Sequence, residues 1–133
     1  KGADEGVDGV LYFIDNPEHE PKKAIVQVKS GKVGVKDIRE LIQVVDKQKA
    51  AMGFFITLEP PTEGMRKEAI AQGFYESPWG KYEKIQIRTI EELLKGKSFA
   101  HPPVNISFPF KKTKKKNPRT IKETFLKLHL MTE

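Results

Sequence analysis

The chain has 133 residues, 38% of them hydrophobic, which suits one domain with a real core and is short for two. It has no cysteine, so disulfide frameworks and thiolate zinc sites are excluded, and a reducing, cytoplasmic setting is expected. No stretch reads as a membrane span or an export leader, and the net charge of +6 is unevenly placed: residues 1–100 carry 16 basic and 16 acidic side chains, residues 101–133 carry 8 and 2.

In chain order, Gly2 to Gly9 (GADEGVDG) is a glycine-punctuated turn that places Asp8 at the mouth of Val10 to Ile14 (VLYFI), a β-branched and aromatic strand stopped by Asp15-Asn16-Pro17. Ala24 to Lys29 (AIVQVK) returns as the second arm of a hairpin, and Ser30-Gly31 breaks it. Along this arm Gln27 and Lys29 share one face and Val26 and Val28 the other. Two polar groups on a core strand are costly unless that face is a solvated cleft or offers partners. Lys36 to Ala50 is an amphipathic helix, with Ile38, Leu41, Ile42 and Val45 on one side and Arg39, Glu40, Gln43 and Asp46 opposite.

Gly53 to Leu58 (GFFITL) is continuously apolar, as expected of a strand covered on both faces and entered by a parallel crossover. Thr62 N-caps a short helix over Glu63 to Gln72, closed by Gly73. Phe74-Tyr75 restarts an extended segment, Ser77 to Lys81 (SPWGK) is a turn, and Lys84 to Arg88 alternates as a strand. Thr89-x-x-Glu92 is a capping box opening a helix through Lys95. The fold class is α/β, a mixed sheet flanked by helices. Trp79 is expected to pin its hairpin to the core, with a base-stacking loop as the alternative.

Residues 98–133 read as a basic extension. Val104, Ile106 and Phe108 alternate as an edge strand would. Lys111, Lys112, Lys114, Lys115 and Lys116 form a solvated run, either a polar connector or a salt-sensitive contact to DNA phosphates, and a helix is expected over 120–130.

Asp8, Gln27 and Lys29 together suggest a chemistry. Magnesium, or manganese in its place, takes oxygen ligands, of which Asp8 can supply a carboxylate and Gln27 a neutral carbonyl. Lys29, two residues on, can orient a metal-bound water or neutralise charge on a phosphate under attack. Asp4 competes with Asp8 in the same turn but reads better as a turn former, and Glu40 reads as part of a solvated helix face. Ser30, Lys32 and Lys36, following the strand, are candidate phosphate contacts.

These residues resemble the PD-(D/E)XK superfamily, and within it the Mrr-like restriction endonucleases. G-x-D-x-G-x-D-G at Gly2 to Gly9, Q-x-K at Gln27 to Lys29, GFFIT and IQIRTIEELL occur in that family's order over about residues 1–97. QVKSGKVGVKDIREL, FITLEPPTEGM and GFYESPWG look like the domain appended to some bacterial site-specific DNA methyltransferases. The resemblance implies a divalent-metal-dependent endonuclease acting on double-stranded DNA, with Asp8 and Gln27 on the metal, Lys29 catalytic, and a DNA methyltransferase domain in the parent chain. It also implies a superfamily core whose first helix and strand are absent from this chain. From that follows an expected open edge at Val10 to Ile14, covered by a second copy of the chain or by Val104 to Phe108. The Q-x-K departs from the superfamily's acid at Gln27, and a catalytically weak binding or interaction module is the alternative function.

Overall fold

The computed structural model describes residues 6–14, 18 and 20–103. Its order is β1 (Gly9–Phe13), β2 (Lys22–Lys29), α1 (Val35–Lys47), β3 (Met52–Thr57), α2 (Glu63–Ile70), β4 (Phe74–Ser77), β5 (Gly80–Glu83), β6 (Ile85–Thr89) and α3 (Ile90–Leu94). Four strands form a mixed sheet in the order β1-β2-β3-β6, and β4 and β5 form a separate hairpin. β1 runs antiparallel to β2, whereas β2, β3 and β6 are mutually parallel through the α1 and α2 crossovers. This is a restriction-endonuclease-like arrangement of a mixed sheet between helices.

The all-apolar run at β3 has the expected consequence: every residue from Met52 to Thr57 is buried. Alternate residues face alternate layers. Phe55 joins Ile25 and Ile85 beneath Ile38, Leu41 and Val45 of α1 and Met65 of α2. Met52, Phe54 and Ile56 face the other way, with Leu11, Phe13, Ala24 and Val26, under Leu93 of α3 and Tyr75 and Tyr82 of the hairpin.

Gly53 sets how closely α1 approaches the sheet. A Cβ there would lie 2.8 Å from Val45 Cγ2, 3.0 Å from Ile85 Cδ1 and 3.2 Å from Leu41 Cγ. The helix is seated where a side chain would stand.

The helix starts use the signals in the sequence. Thr62 Oγ1 accepts the Met65 N–H at 3.1 Å. At α3 the capping box is complete: Thr89 Oγ1 accepts the Glu92 N–H at 3.0 Å, and Glu92 Oε1 accepts the Thr89 N–H at 2.8 Å. At α1 the N-cap is Gly34, whose N–H donates to Asp37 Oδ2 at 2.8 Å.

Two features differ from the sequence reading. Trp79 does not pin the β4–β5 hairpin; it sits at the turn, 58% exposed, while Tyr75 and Tyr82 supply the inward anchors. A turn of four residues leaves a side chain at its tip beyond reach of the core that its strands touch. Second, residues 98–102, assigned by sequence to the extension, pack on the body. Phe99 stacks on Phe54 with ring centroids 4.4 Å apart. Gln86, itself buried, donates to the Ala100 carbonyl at 2.8 Å and accepts the Ala100 N–H at 2.9 Å.

β1 is one edge of the sheet among the described residues. Val104 to Phe108, the lysines from Lys111 to Lys116 and the helix expected over 120–130 lie outside the described residues. Among the described residues, no helix is long and apolar enough to cross a membrane.

Gly53→Ala is expected to destabilise the chain by about 1–3 kcal/mol, the usual cost of an inserted carbon in a filled core; equilibrium urea unfolding checks it. The Glu92 carboxyl is held below its usual range, first by the Thr89 N–H and then by the Lys97 and Arg88 charges, with burial opposing. A depressed carboxyl contributes stability above its unfolded value near 4.5, and that contribution is lost as pH falls through the lower folded value. Glu92→Gln keeps the acceptor and removes the titration. Its melting temperature is therefore expected to fall less than the wild type's between pH 7 and pH 3.

Candidate functional site

The candidate residues gather at the C-terminal end of β2, on the face that carries α1. Because Ile25 faces α1, the period of two puts Gln27 and Lys29 on that same side. Both line a cleft of about 320 Å³ together with Gly6, Glu40, Gln43, Val44 and Lys47. The last four recur at helical spacing, so one flank of α1 forms the facing wall. Gly6 is the roof. Its φ is +86°, and a Cβ there would come within 3.1 Å of Gln27 Nε2. A side chain at that position would be both strained and obstructive.

The two polar residues of β2 have different environments. Gln27 is 5% exposed, and its side-chain amide makes no hydrogen bond among the described residues. Lys29 is at the rim, and its ammonium lies 3.6 Å from Asp37 Oδ1 in the first turn of α1. Asp37 thus holds the helix start with one oxygen and draws Lys29 with the other.

Asp8 enters by a different route. Its N–H donates to the Val26 carbonyl at 2.9 Å, which extends the β1–β2 ladder by one bond. Beyond that the chain turns away at Gly6, and Asp8 Oδ2 accepts the Val28 N–H at 2.8 Å. The carboxylate takes the place of the next main-chain acceptor. Asp8 therefore sits beside the backbone between Gln27 and Lys29 but is not among the residues that line the cleft.

The other candidates stand apart. Ser30 and Lys32 are exposed in the loop after β2, and Lys36 is exposed in the first turn of α1. Glu40 is exposed on α1, as its reading as part of a solvated face has it, and it also borders the cleft. Gln43 was read only as part of the same polar helix face, and Lys47 was not singled out. Their signal was available in the i, i+3, i+7 spacing from Glu40.

These residues do not fit a resident magnesium ion. Magnesium needs near-octahedral oxygen coordination and keeps several waters. Here one Asp8 oxygen is bound to a backbone N–H, Gln27 is neutral and enclosed, and Glu40 approaches from α1 without Asp8 beside it in the cleft. Among the described residues, no group of three His, Cys, Asp or Glu side chains is placed to hold a metal. What the arrangement offers is an enclosed neutral carboxamide on β2, with the Lys29 ammonium at the rim drawn toward Asp37.

No curated protein and no solved structure matches the chain. Residues 1–95 match the family model described as NACHT-associated inactive Restriction Endonuclease 1. With most of its length matched, and a neutral amide at the middle of its candidate site, the chain belongs to that family of restriction-endonuclease-like domains.

Proposed function

We propose that this chain is a non-cutting restriction-endonuclease-like module that serves recognition or interaction within a NACHT-containing protein. The observation that carries this reading is Gln27, a buried neutral amide at the centre of the site, beside an Asp8 carboxylate committed to the Val28 N–H and a Lys29 ammonium drawn toward Asp37. Hydrolysis of a phosphodiester needs an activated water and a stabilised leaving oxygen. Neither is supplied by this donor set. The word "inactive" in the family's description supports the same reading, and "NACHT-associated" favours a NACHT-bearing parent over a methyltransferase.

A metal-dependent endonuclease is the second reading, favoured by one observation: Asp8, Gln27 and Lys29 do come to the same end of the β1–β2 hairpin. One assay separates the two. The 133-residue chain, incubated with supercoiled plasmid and millimolar magnesium or manganese, is expected to leave the plasmid intact. Nicking that depends on the metal and disappears in Lys29→Ala would overturn the non-cutting reading.

A further inference from the structure

We propose that the cleft at the far end of the sheet, between the β1–β2 hairpin and the C-terminus of α1, docks an acidic segment of a protein partner, held by Lys22, Lys23, Lys49 and the Tyr12 ring. The inference rests on the reading of this chain as an interaction module, and it names the surface and the partner chemistry of that module.

Both walls of the cleft are fixed by the fold. Tyr12 and Lys23 are direct partners across the β1–β2 ladder, so they share a face. Lys23 lies two residues before Ile25, which puts that face on the side of the sheet carrying α1. There the Lys23 ammonium donates to Gln48 Oε1 at 3.3 Å, and the Ala51 N–H donates to the Lys23 carbonyl at 2.8 Å. The start of β2 is thereby tied to the end of α1. An open cleft of about 600 Å³ lies at this junction, lined by Tyr12, Glu20, Pro21, Lys22 and Lys49 besides the tied pair. Along the strand Lys23 is about 20 Å from Lys29, which places this cleft at the other end of the sheet from the candidate site.

The backbone at Lys49 is a second observation. α1 closes with the Ala50 N–H on the Val45 carbonyl at 2.9 Å and the Lys49 N–H on the Asp46 carbonyl at 3.1 Å. That closure takes a left-handed residue, ordinarily glycine, and Lys49 supplies it at φ +55°. Among the described residues it is the one non-glycine residue with positive φ. A strained position filled by a long cation points to a task for that cation. The attraction of a helix C-terminus for positive charge does not account for it, because Lys47 already stands in the last turn.

The charges select an acidic partner. Three ammonium groups line the cleft against one carboxylate, Glu20, and none of the three lysines has an ion pair among the described residues. Glu18 and Asp46, the next described acids along the chain, do not line it, and Asp15 lies outside the described residues. Two further features select a peptide over a nucleic-acid backbone. β1, which carries Tyr12, is an edge of the sheet among the described residues, and a polypeptide can match the main-chain groups that such an edge presents. Glu20 would repel a continuous line of phosphates, whereas a peptide spaces its carboxylates, and the half-exposed Tyr12 ring offers a flat apolar contact to the residues between them.

The test follows the backbone amide signals of Tyr12, Lys23 and Lys49 in the 133-residue chain by NMR as the end-blocked peptide Glu-Val-Glu-Val-Glu-Val-Glu is added. The same peptide with Gln for Glu, and a short DNA duplex, are the comparisons. The readout is local, so a duplex held by Lys111 to Lys116 does not enter it. The acidic peptide is expected to shift all three signals and the Gln peptide to leave them in place. Lys49→Gly, followed through Tyr12 and Lys23, should weaken binding about three-fold, the value of a partly exposed ion pair, while melting no lower than the wild type. Lys49→Arg should keep the affinity, and Glu20→Gln should raise it. A lysine serving only the helix end would not give that combination.

Unmoved signals, an equal response to the Gln peptide, or unchanged affinity in Lys49→Gly would each overturn the proposal. So would a duplex that shifts the same signals at lower concentration than the peptide, which would make the surface a nucleic-acid contact. Shifts that grow with protein concentration alone would overturn it too, by making the surface an interface between copies of this chain. Failure of the peptide to bind would leave the non-cutting reading standing, whereas plasmid nicking would overturn that reading without moving these signals.

Discussion

The closeness of α1 to β3 is the constraint on which the rest depends. At Gly53 the sheet has no side chain on the helix side, and Leu41, Val45 and Ile85 close over the gap. This contact fixes the depth at which α1 lies. The flank of the helix carrying Glu40, Gln43 and Lys47 is thereby brought against the end of β2, and a cleft exists only because that separation is small and fixed. A wider spacing would leave Gln27 open to solvent as an ordinary surface amide; the tight one encloses it. The same burial that stabilises the domain makes its central polar residue expensive.

Much of the fold was legible because its signals are local and physical. The unbroken apolar run of β3 predicted cover on both faces, and Thr89-x-x-Glu92 predicted a helix start that the structure closes with two hydrogen bonds. The period of two along β2 placed Gln27 and Lys29 on one side. What periodicity does not encode is which solvated-looking flank of a helix meets which strand end. Glu40 read as surface because polar residues opposite an apolar stripe usually are, and it is exposed. Its role in the cleft wall comes from the angle at which α1 crosses the sheet, a tertiary quantity. Trp79 was misjudged for a related reason: an aromatic residue signals burial on average, but a side chain at a hairpin tip has no layer to enter.

Asp8 shows how a catalytic-looking residue can be occupied by a structural task. A carboxylate at the mouth of a hairpin is available to a ligand only if the ladder does not need it. Here the chain departs at Gly6 before the last strand N–H has a main-chain acceptor, and Asp8 supplies one. Lys29 is similarly engaged, through Asp37, in holding the start of α1. Residue types associated with phosphodiester chemistry thus coexist with hydrogen bonding that serves the fold, and the balance between those demands separates a cutting site from one that only resembles it.

The segment after α3 bears on where this domain stops. Phe99 lies flat on Phe54, the Arg88 guanidinium stands 5.5 Å from the Phe99 ring centre, and Gln86 holds both backbone groups of Ala100. The family match ends at residue 95, before any of these contacts. A boundary drawn from sequence similarity would therefore cut through the hydrophobic interior, baring one face of a central phenylalanine and stranding a buried amide. The packed unit is longer than its recognisable signature, and the closing piece is the five residues 98–102, whose importance lies in what they cover.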